Sequence, residues 1–500
     1  MKKTKIAGKT SRMNFTIFLL ILALFICFSC APDSQDNQEN KTDVNITDGD
    51  SGGETAVELV EEISDGLPEA NYDGYNFRIT SNTLIRSRIF ADTDIGEVIN
   101  DAQFYARLAV EERFNVKISL IESGADETDV KGAKKAISAG DDAFDLIHAH
   151  DITLCISSLE NIFMNLYNVP NLDFSKPWWP KNSADSLTVL GQMYVFSNAM
   201  TTDSIGNIRV LYINKDKARD YGLTVPYQDV FDGTWTIDKL INMTKDVYSD
   251  LNGNGEIDEN DFFGFEYRDQ YFICTLEPLG IKPYIRDTEE IIKLNLNNER
   301  TLTAIDKMYS LLFGSKSTYF KPDNTIDPIF MEKRALTTCL QLSSAVDKLR
   351  FTDINYGILP MPKLDASQES YTSGYTSYLF AIPNTASDLD RTGVIIEALS
   401  AEGYKKVLPA YYEIALKNKY LQDEESIRIL DLINESKMLD FAWCYNVNYE
   451  GPYLFMRDLF IGGKSPSTDF ASWYEKNEKK QLKVLESMIK KFENMQDHYN

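Results

Sequence analysis

Asp250-Leu251-Asn252-Gly253-Asn254-Gly255-Glu256-Ile257-Asp258-Glu259-Asn260-Asp261 is the stretch whose residue types and spacing speak most directly of chemistry. Oxygen-bearing side chains fall at positions 1, 3, 5, 9 and 12, a glycine at 6 and an isoleucine at 8. A hard cation takes six to eight oxygens at short range, and alternate residues of a tight loop supply them from one side. Asp250, Asn252, Asn254, Asp258 and Asp261 are the side-chain candidates, with Glu256 giving its backbone carbonyl. Gly255 suits position 6, where the turn demands a backbone shape that glycine adopts at little steric cost. The pattern predicts a structural calcium site. Asp261 stands where such loops usually carry the longer Glu, so bidentate closure at position 12 is weaker. A docking module would carry two such loops close together, and this chain has one.

A second cluster, His148-Ala149-His150-Asp151, puts two imidazoles on one face of a strand. Without a third ligand it reads as strand-end residues rather than a metal site. Gly463-Lys464-Ser465 ends like a phosphate-binding loop, but Asp458 stands where the first glycine is required. There is no nucleophile elbow. No catalytic residue is identified, although paired carboxylates for glycoside hydrolysis are always available among 76 acidic residues.

The elements that must hold these residues belong to a long, acidic chain. Its 500 residues exceed what one core organises, so at least two domains are expected. A net charge of −25 argues against nucleic acid as a partner. The N-terminus has a basic segment (Lys2, Lys3, Lys5, Lys9, Arg12), an apolar run over Phe15–Phe28, then Ser29-Cys30. That layout resembles a bacterial lipoprotein signal, cleaved after residue 29 with lipid added to Cys30. Loss of residues 1–29 removes five basic and no acidic residues and takes the charge from −25 to −30. Residues 30–70 are polar and acidic, and read as a disordered tether. Cys155, Cys274, Cys339 and Cys444 are widely spaced and read as buried free thiols.

From Tyr75 the chain alternates. Strands are expected at 75–80, 116–121 and 144–148, with helices at 96–113 and 128–138. This βαβαβ order predicts a parallel sheet covered on both faces. Further strands are expected at 191–197, 208–213, 356–362 and 378–382. Helices are expected from Thr236, at 301–313 and 328–340, and through most of the chain from 390: 391–404, 405–417, 423–435, 452–460 and 471–492. Tyr212 and Trp235 read as core.

Several segments together resemble the extracellular solute-binding proteins of bacterial carbohydrate ABC transporters, of the type 2 periplasmic-binding-protein superfamily. They are Asn100-Asp101-Ala102, Val110-Glu111-Glu112-Arg113-Phe114-Asn115-Val116, Asp145-Leu146-Ile147, Lys176-Pro177-Trp178-Trp179, Tyr212-Ile213-Asn214-Lys215, Gly233-Thr234-Trp235-Thr236, Gly357-Ile358-Leu359-Pro360-Met361-Pro362 and Leu408-Pro409-Ala410-Tyr411-Tyr412-Glu413. Phe330 to Leu336 departs from the family, which often has a glycine before the lysine there. The resemblance covers about 75–495. It implies an α/β, two-lobed fold hinged around a ligand cleft. Lobe 1 would hold 71–197 plus 352–408, and lobe 2 would hold 198–351 plus 409–500. It also implies a monomer, lipid-anchored on the outer face of the cell membrane. Such a protein captures a carbohydrate, favourably an oligosaccharide, and delivers it to ABC permease subunits. A glycoside hydrolase and a binder of a non-sugar solute such as a peptide are the alternatives.

Sugars present apolar ring faces to aromatic side chains and paired hydroxyls to polar ones. On that basis the candidate ligand contacts are Trp178, Trp179, Tyr267, Tyr375 and Trp443, with Asp151, Asp203 and Arg268 (beside Asp269) as polar partners. Each has a bland reading as well: a tryptophan more often packs a core, and a charged residue more often faces solvent.

Overall fold

The computed structural model describes residues 63–500, apart from 125–129, 289, 322–328, 421–422, 447–450 and 497–500. The expected signal segment, Cys30 and the tether up to residue 62 lie outside the described residues. Among the described residues no helix is long and apolar enough to cross a membrane.

The first sheet forms where the alternation predicts it. Tyr75–Ser81 lies in parallel between Val116–Glu122 and Leu146–His150. The crossover helix Val98–Phe114 begins where the Glu97 carboxylate accepts from the Ile99 and Asn100 amides, satisfying amides the helix leaves unpaired. It ends at Asn115, which adopts φ +47°. Its Ala106, Val110 and Phe114 pack inward at helical spacing. A fourth strand, Tyr378–Ala381, joins antiparallel to Leu146–His150, with Tyr378 opposite His150.

The second sheet runs Tyr356–Pro360, Arg209–Asn214, Ala335–Gln341, Phe262–Arg268. Tyr248–Ser249 and Thr318–Lys321 pair further along the last of these. Ala335–Gln341 corrects the expected helix over 328–340: it is the central strand, antiparallel to Arg209–Asn214 and parallel to Phe262–Arg268. A strand covered on both faces reads as an unbroken apolar run, and so short a run carries no period that separates strand from helix. The strand expected at 191–197 reduces to isolated bridges at Gln192 and Phe196.

Arg209–Asn214 follows the segment 197–208, which leaves the first sheet at the Phe196–Phe380 bridge. Tyr356–Pro360, expected with the first lobe, is instead hydrogen-bonded along Arg209–Asn214. The chain therefore returns to the first sheet between Pro360 and Tyr378. A long helical run, Leu389–Glu402 continuing through Gly403–Val407 and Ala410–Tyr420, packs beside Val98–Phe114. Gly403 lets the run pass against Ala199 and Met200 on its other side: a Cβ there would stand 2.1 Å from the Ala199 carbonyl oxygen. Glu424–Glu435, Phe455–Ile461 and Phe470–Gln496 complete the helical C-terminal part. Tyr212 and Trp235 are core, as expected, and the four body cysteines are buried free thiols.

Candidate functional site

In sheets of this kind, ligands bind beyond the carboxyl ends of the parallel strands. In the first sheet those ends are Ser81 and His150, the latter followed at once by Asp151. In the second they are Arg268, followed by the turn Asp269–Phe272, and Gln341. Arg209 opens the antiparallel neighbour at the level of Gln341.

A buried polar path joins these ends. Asp151 Oδ2 accepts from the Trp443 indole at 2.8 Å and from the Ser377 amide at 3.3 Å. The Trp443 ring packs on Tyr453, with centroids 5.4 Å apart. The Tyr453 hydroxyl donates to Glu277 Oε1 at 2.7 Å and accepts from the Cys274 amide at 2.8 Å. Cys274 and Glu277 lie just past the second sheet's strand Phe262–Arg268. Burial, and then the charge of Asp440, push the Glu277 carboxyl well above the usual carboxylate range. Asp440 itself caps Phe441–Cys444, accepting from the Ala442 and Trp443 amides.

A second path runs through segment 197–208. Asp203 accepts from Arg88 at 2.5 Å and from the Tyr378 amide at 3.2 Å. Arg88 also lies over the Tyr378 ring, 5.0 Å from its centroid. Asn207 accepts from Arg88 and from Gln341, both at 3.3 Å. Tyr375 bridges Ile208, and its hydroxyl meets the Ser183 hydroxyl.

Asp151, Trp443, Asp203 and Tyr375 thus meet at the ends of the sheets. The other candidates are committed to partners inside the packing, Arg268 among them although it ends a strand of the second sheet. Trp178 and Trp179 both donate to Glu397, at 2.8 and 3.0 Å, inside the packing against Leu389–Glu402. Tyr267 is fully buried among Phe265, Tyr271 and Phe272, with its hydroxyl on Thr275 at 2.6 Å. Arg268 is buried in an ion pair with Glu266 at 2.8 Å. Asp269 pairs with Arg457. His148 is a core residue: its Nδ1 lies 2.9 Å from the Ser81 hydroxyl, and burial, then the Arg88 charge, hold it down to about 3. Sequence reasoning missed Arg88, Arg209, Tyr271, Glu277, Asp440 and Tyr453. Only the aromatic density of 441–455 hinted at any of them.

The loop Asp250–Asp261 turns as its spacing requires, with Gly255 at φ +75°. Asp250 accepts from the Gly253 and Gly255 amides at 2.7 and 2.9 Å. Asn254 and Asn252 reach across to Asp258, at 2.8 and 3.2 Å, so positions 3, 5 and 9 converge. Asp261 is buried and accepts from the Tyr248 hydroxyl at 2.8 Å and the Asp258 amide at 3.1 Å. Among the described residues no group of three or more His, Cys, Asp or Glu side chains stands placed to hold a metal ion. The converging donors in the loop are all oxygen-bearing and two of them are asparagines. The asparagines turn their Nδ2 towards Asp258 while their Oδ1 accept from the Asn254 and Glu256 amides, so a hard cation through Asp250, Asn252, Asn254 and Asp258 would need both side-chain amides turned over, and Asp261 holds the loop closed from behind.

No protein-family model matches the chain, and no curated protein matches it by sequence. Solved structures do match. The galacto-N-biose/lacto-N-biose I-binding protein of the ABC transporter from Bifidobacterium longum, in complex with lacto-N-biose, is 12% identical, covers 83% of this chain and 98% of its own, and has a TM-score of 0.55. UgpB from Mycobacterium tuberculosis, in complex with glycerophosphocholine, is 14% identical over 83% and 99%, at 0.54. The GacH receptor of Streptomyces glaucescens, solved unliganded and with acarbose, is 12% identical over 85% and 100%, at 0.50. Two sheets with helices on both, joined by several crossings, and these likenesses over nearly the whole of each neighbour lead to one conclusion: the chain has the two-lobed α/β fold of the type 2 periplasmic binding proteins.

Proposed function

We propose that this protein is the solute-binding component of an ABC import system, capturing a carbohydrate in the crevice between its two sheets. The observation that carries the reading is the path Asp151–Trp443–Tyr453–Glu277. It brings two aromatic rings and two carboxyl groups together where the strand ends of both sheets point. Rings suit the apolar faces of a sugar and carboxyl groups suit its paired hydroxyls. Structural neighbours that bind lacto-N-biose and acarbose support the ligand class. Binding, not turnover, is the activity: ligand selects the closed arrangement of the two sheets, and a permease receives it. The lipoprotein-like start of the chain supports anchoring at Cys30 on the outer face of the membrane. Oxygen donors at Asp250, Asn252, Asn254 and Asp258 support a structural calcium ion that steadies the entry to Phe262–Arg268.

A thermal-shift screen against mono- and oligosaccharides, with and without EDTA, tests this. A saccharide at about 100 times its Kd adds about 2.7 kcal/mol to stability. Stabilisation by one saccharide without product release is expected. Release of a shorter sugar in the same tubes would establish a hydrolase instead. Stabilisation by peptides alone would replace the carbohydrate with a different solute. Loss of membrane association on Cys30→Ser checks the anchor.

A further inference from the structure

Arg209 is only 7% exposed, yet its side chain has no ion-pair or hydrogen-bonding partner among the described residues. The other ionised groups around it are offset. Asp203 is held by Arg88, Asp151 by Trp443 and backbone amides, and Arg268 by Glu266. Glu277 is kept towards its neutral form by burial and by Asp440. What Arg209 does have is the Tyr271 ring beneath its guanidinium, 5.4 Å from the centroid. A ring face offsets only a small part of a buried charge. The guanidinium offers five donors in a fork.

Its surroundings are short of acceptors and rich in unused polar groups. The Tyr271 hydroxyl and Glu277 Oε2 are both buried without a hydrogen-bond partner among the described residues. Both residues belong to the segment just past the strand Phe262–Arg268. The Tyr271 phenol is a donor, so beside the Arg209 cation the site presents a further donor with no acceptor among the described residues.

We infer that Arg209 is a specificity-determining residue that pairs with a carboxylate of the captured ligand, so the ligand class is an acidic, uronate-bearing saccharide. This rests on the reading of the crevice as a carbohydrate site and narrows it. A carboxylate matches the guanidinium fork two oxygens to two nitrogens and neutralises a charge the protein leaves open. A neutral sugar leaves that charge uncompensated in the closed crevice.

The test is calorimetric titration of the full chain with di- and trisaccharides of galacturonate, glucuronate and mannuronate. Each is set beside the neutral saccharide of the same linkage. At least one uronate should bind tenfold or more tighter than its neutral counterpart, about the worth of one charge-assisted hydrogen bond. Arg209→Gln should abolish that preference, so that the uronate binds no more tightly than its neutral counterpart. Arg209→Lys should retain part of it, which separates lost charge from lost folding. In the wild-type protein, the preference should shrink as salt rises. If neutral sugars bind as tightly as their uronates, or if Arg209→Gln keeps the preference, the acidic ligand is overturned and sugar capture stands. If no saccharide of either kind binds, both readings fall.

Discussion

Two tryptophan–carboxylate contacts are built alike and join different parts of the chain. Glu397 sits within the helix Leu389–Glu402 and receives both indoles of Trp178-Trp179, with the Asp173 amide at 3.3 Å. All three donors come from one short stretch, so the contact pins a single segment to a single helix. Asp151 receives the Trp443 indole from the C-terminal part of the chain and the Ser377 amide from the strand that returns to the first sheet. Three separate parts of the chain converge there, at the mouth of the first sheet. A buried indole therefore says little about function by itself. What tells is how many independently placed elements its partner ties together, and whether they border the crevice.

The sharpest way to break this comparison is to remove one indole from each. Trp178→Ala empties a large fully buried side chain and leaves Glu397 short of a donor. It should cost about 3–5 kcal/mol, read by denaturant unfolding, and leave the affinity of the remaining folded protein unchanged. Trp443→Phe keeps most of the ring and deletes one hydrogen bond to a buried carboxylate. It should cost about 1–3 kcal/mol and weaken saccharide binding measurably. Equal loss of stability with unaltered binding would move Trp443 beside Trp178 as framework.

A smaller effect separates the two carboxylates by pH. The Glu397 carboxyl is pushed up to about 7, burial outweighing the indole hydrogen bonds that pull it down. The folded state thus keeps a proton that the unfolded chain gives up near 4.5. Stability from this group is full below pH 4.5 and is lost as pH rises to about 7, at a cost of about 3 kcal/mol. Glu397→Gln cannot titrate and offers one acceptor to two indoles. It should be less stable than the wild type at pH 5, with the gap narrowing by pH 8. A constant gap in melting temperature would mean that Glu397 holds no extra proton.

Much of the fold was legible and the crevice mostly was not. The alternation at Tyr75–Ser81 and Val116–Glu122 and the apolar spacing of Val98–Phe114 carried the first sheet, because one-sided burial writes its period into the sequence. Ala335–Gln341 is buried on both faces, and its period vanished with the exposed side. Asp151 and Trp443 were singled out separately, but 292 residues part them and no local pattern announces the contact. Arg209 was invisible for a different reason. An arginine at the head of an apolar strand looks like a polar boundary, and its isolation depends on which acids fail to reach it. That is a fact of tertiary placement alone.

The loop Asp250–Asp261 sharpens the comparison last and least. Its spacing was plain in the sequence, and it leads directly into Phe262–Arg268, whose far end is one of the strand ends of the candidate site. The ion would tie Asp250 to Asp258 across a loop whose backbone amides already bond to Asp250 and Asp261. Much of the turn thus persists without metal, so calcium at a few times its Kd should add only about 1 kcal/mol. In a chain of this size that is a degree or two of Tm by calorimetry. Asp250→Ala should lower Tm with or without calcium, since two amides lose their acceptor, and should abolish the response to added calcium. Saccharide affinity should not change, because the loop acts at the start of the strand and the ligand at its end. An affinity that falls with EDTA would group the loop with Asp151 and Trp443 as a part of the site. A Tm indifferent to both EDTA and calcium would leave residues 250–261 as a turn held by asparagine and aspartate side chains alone.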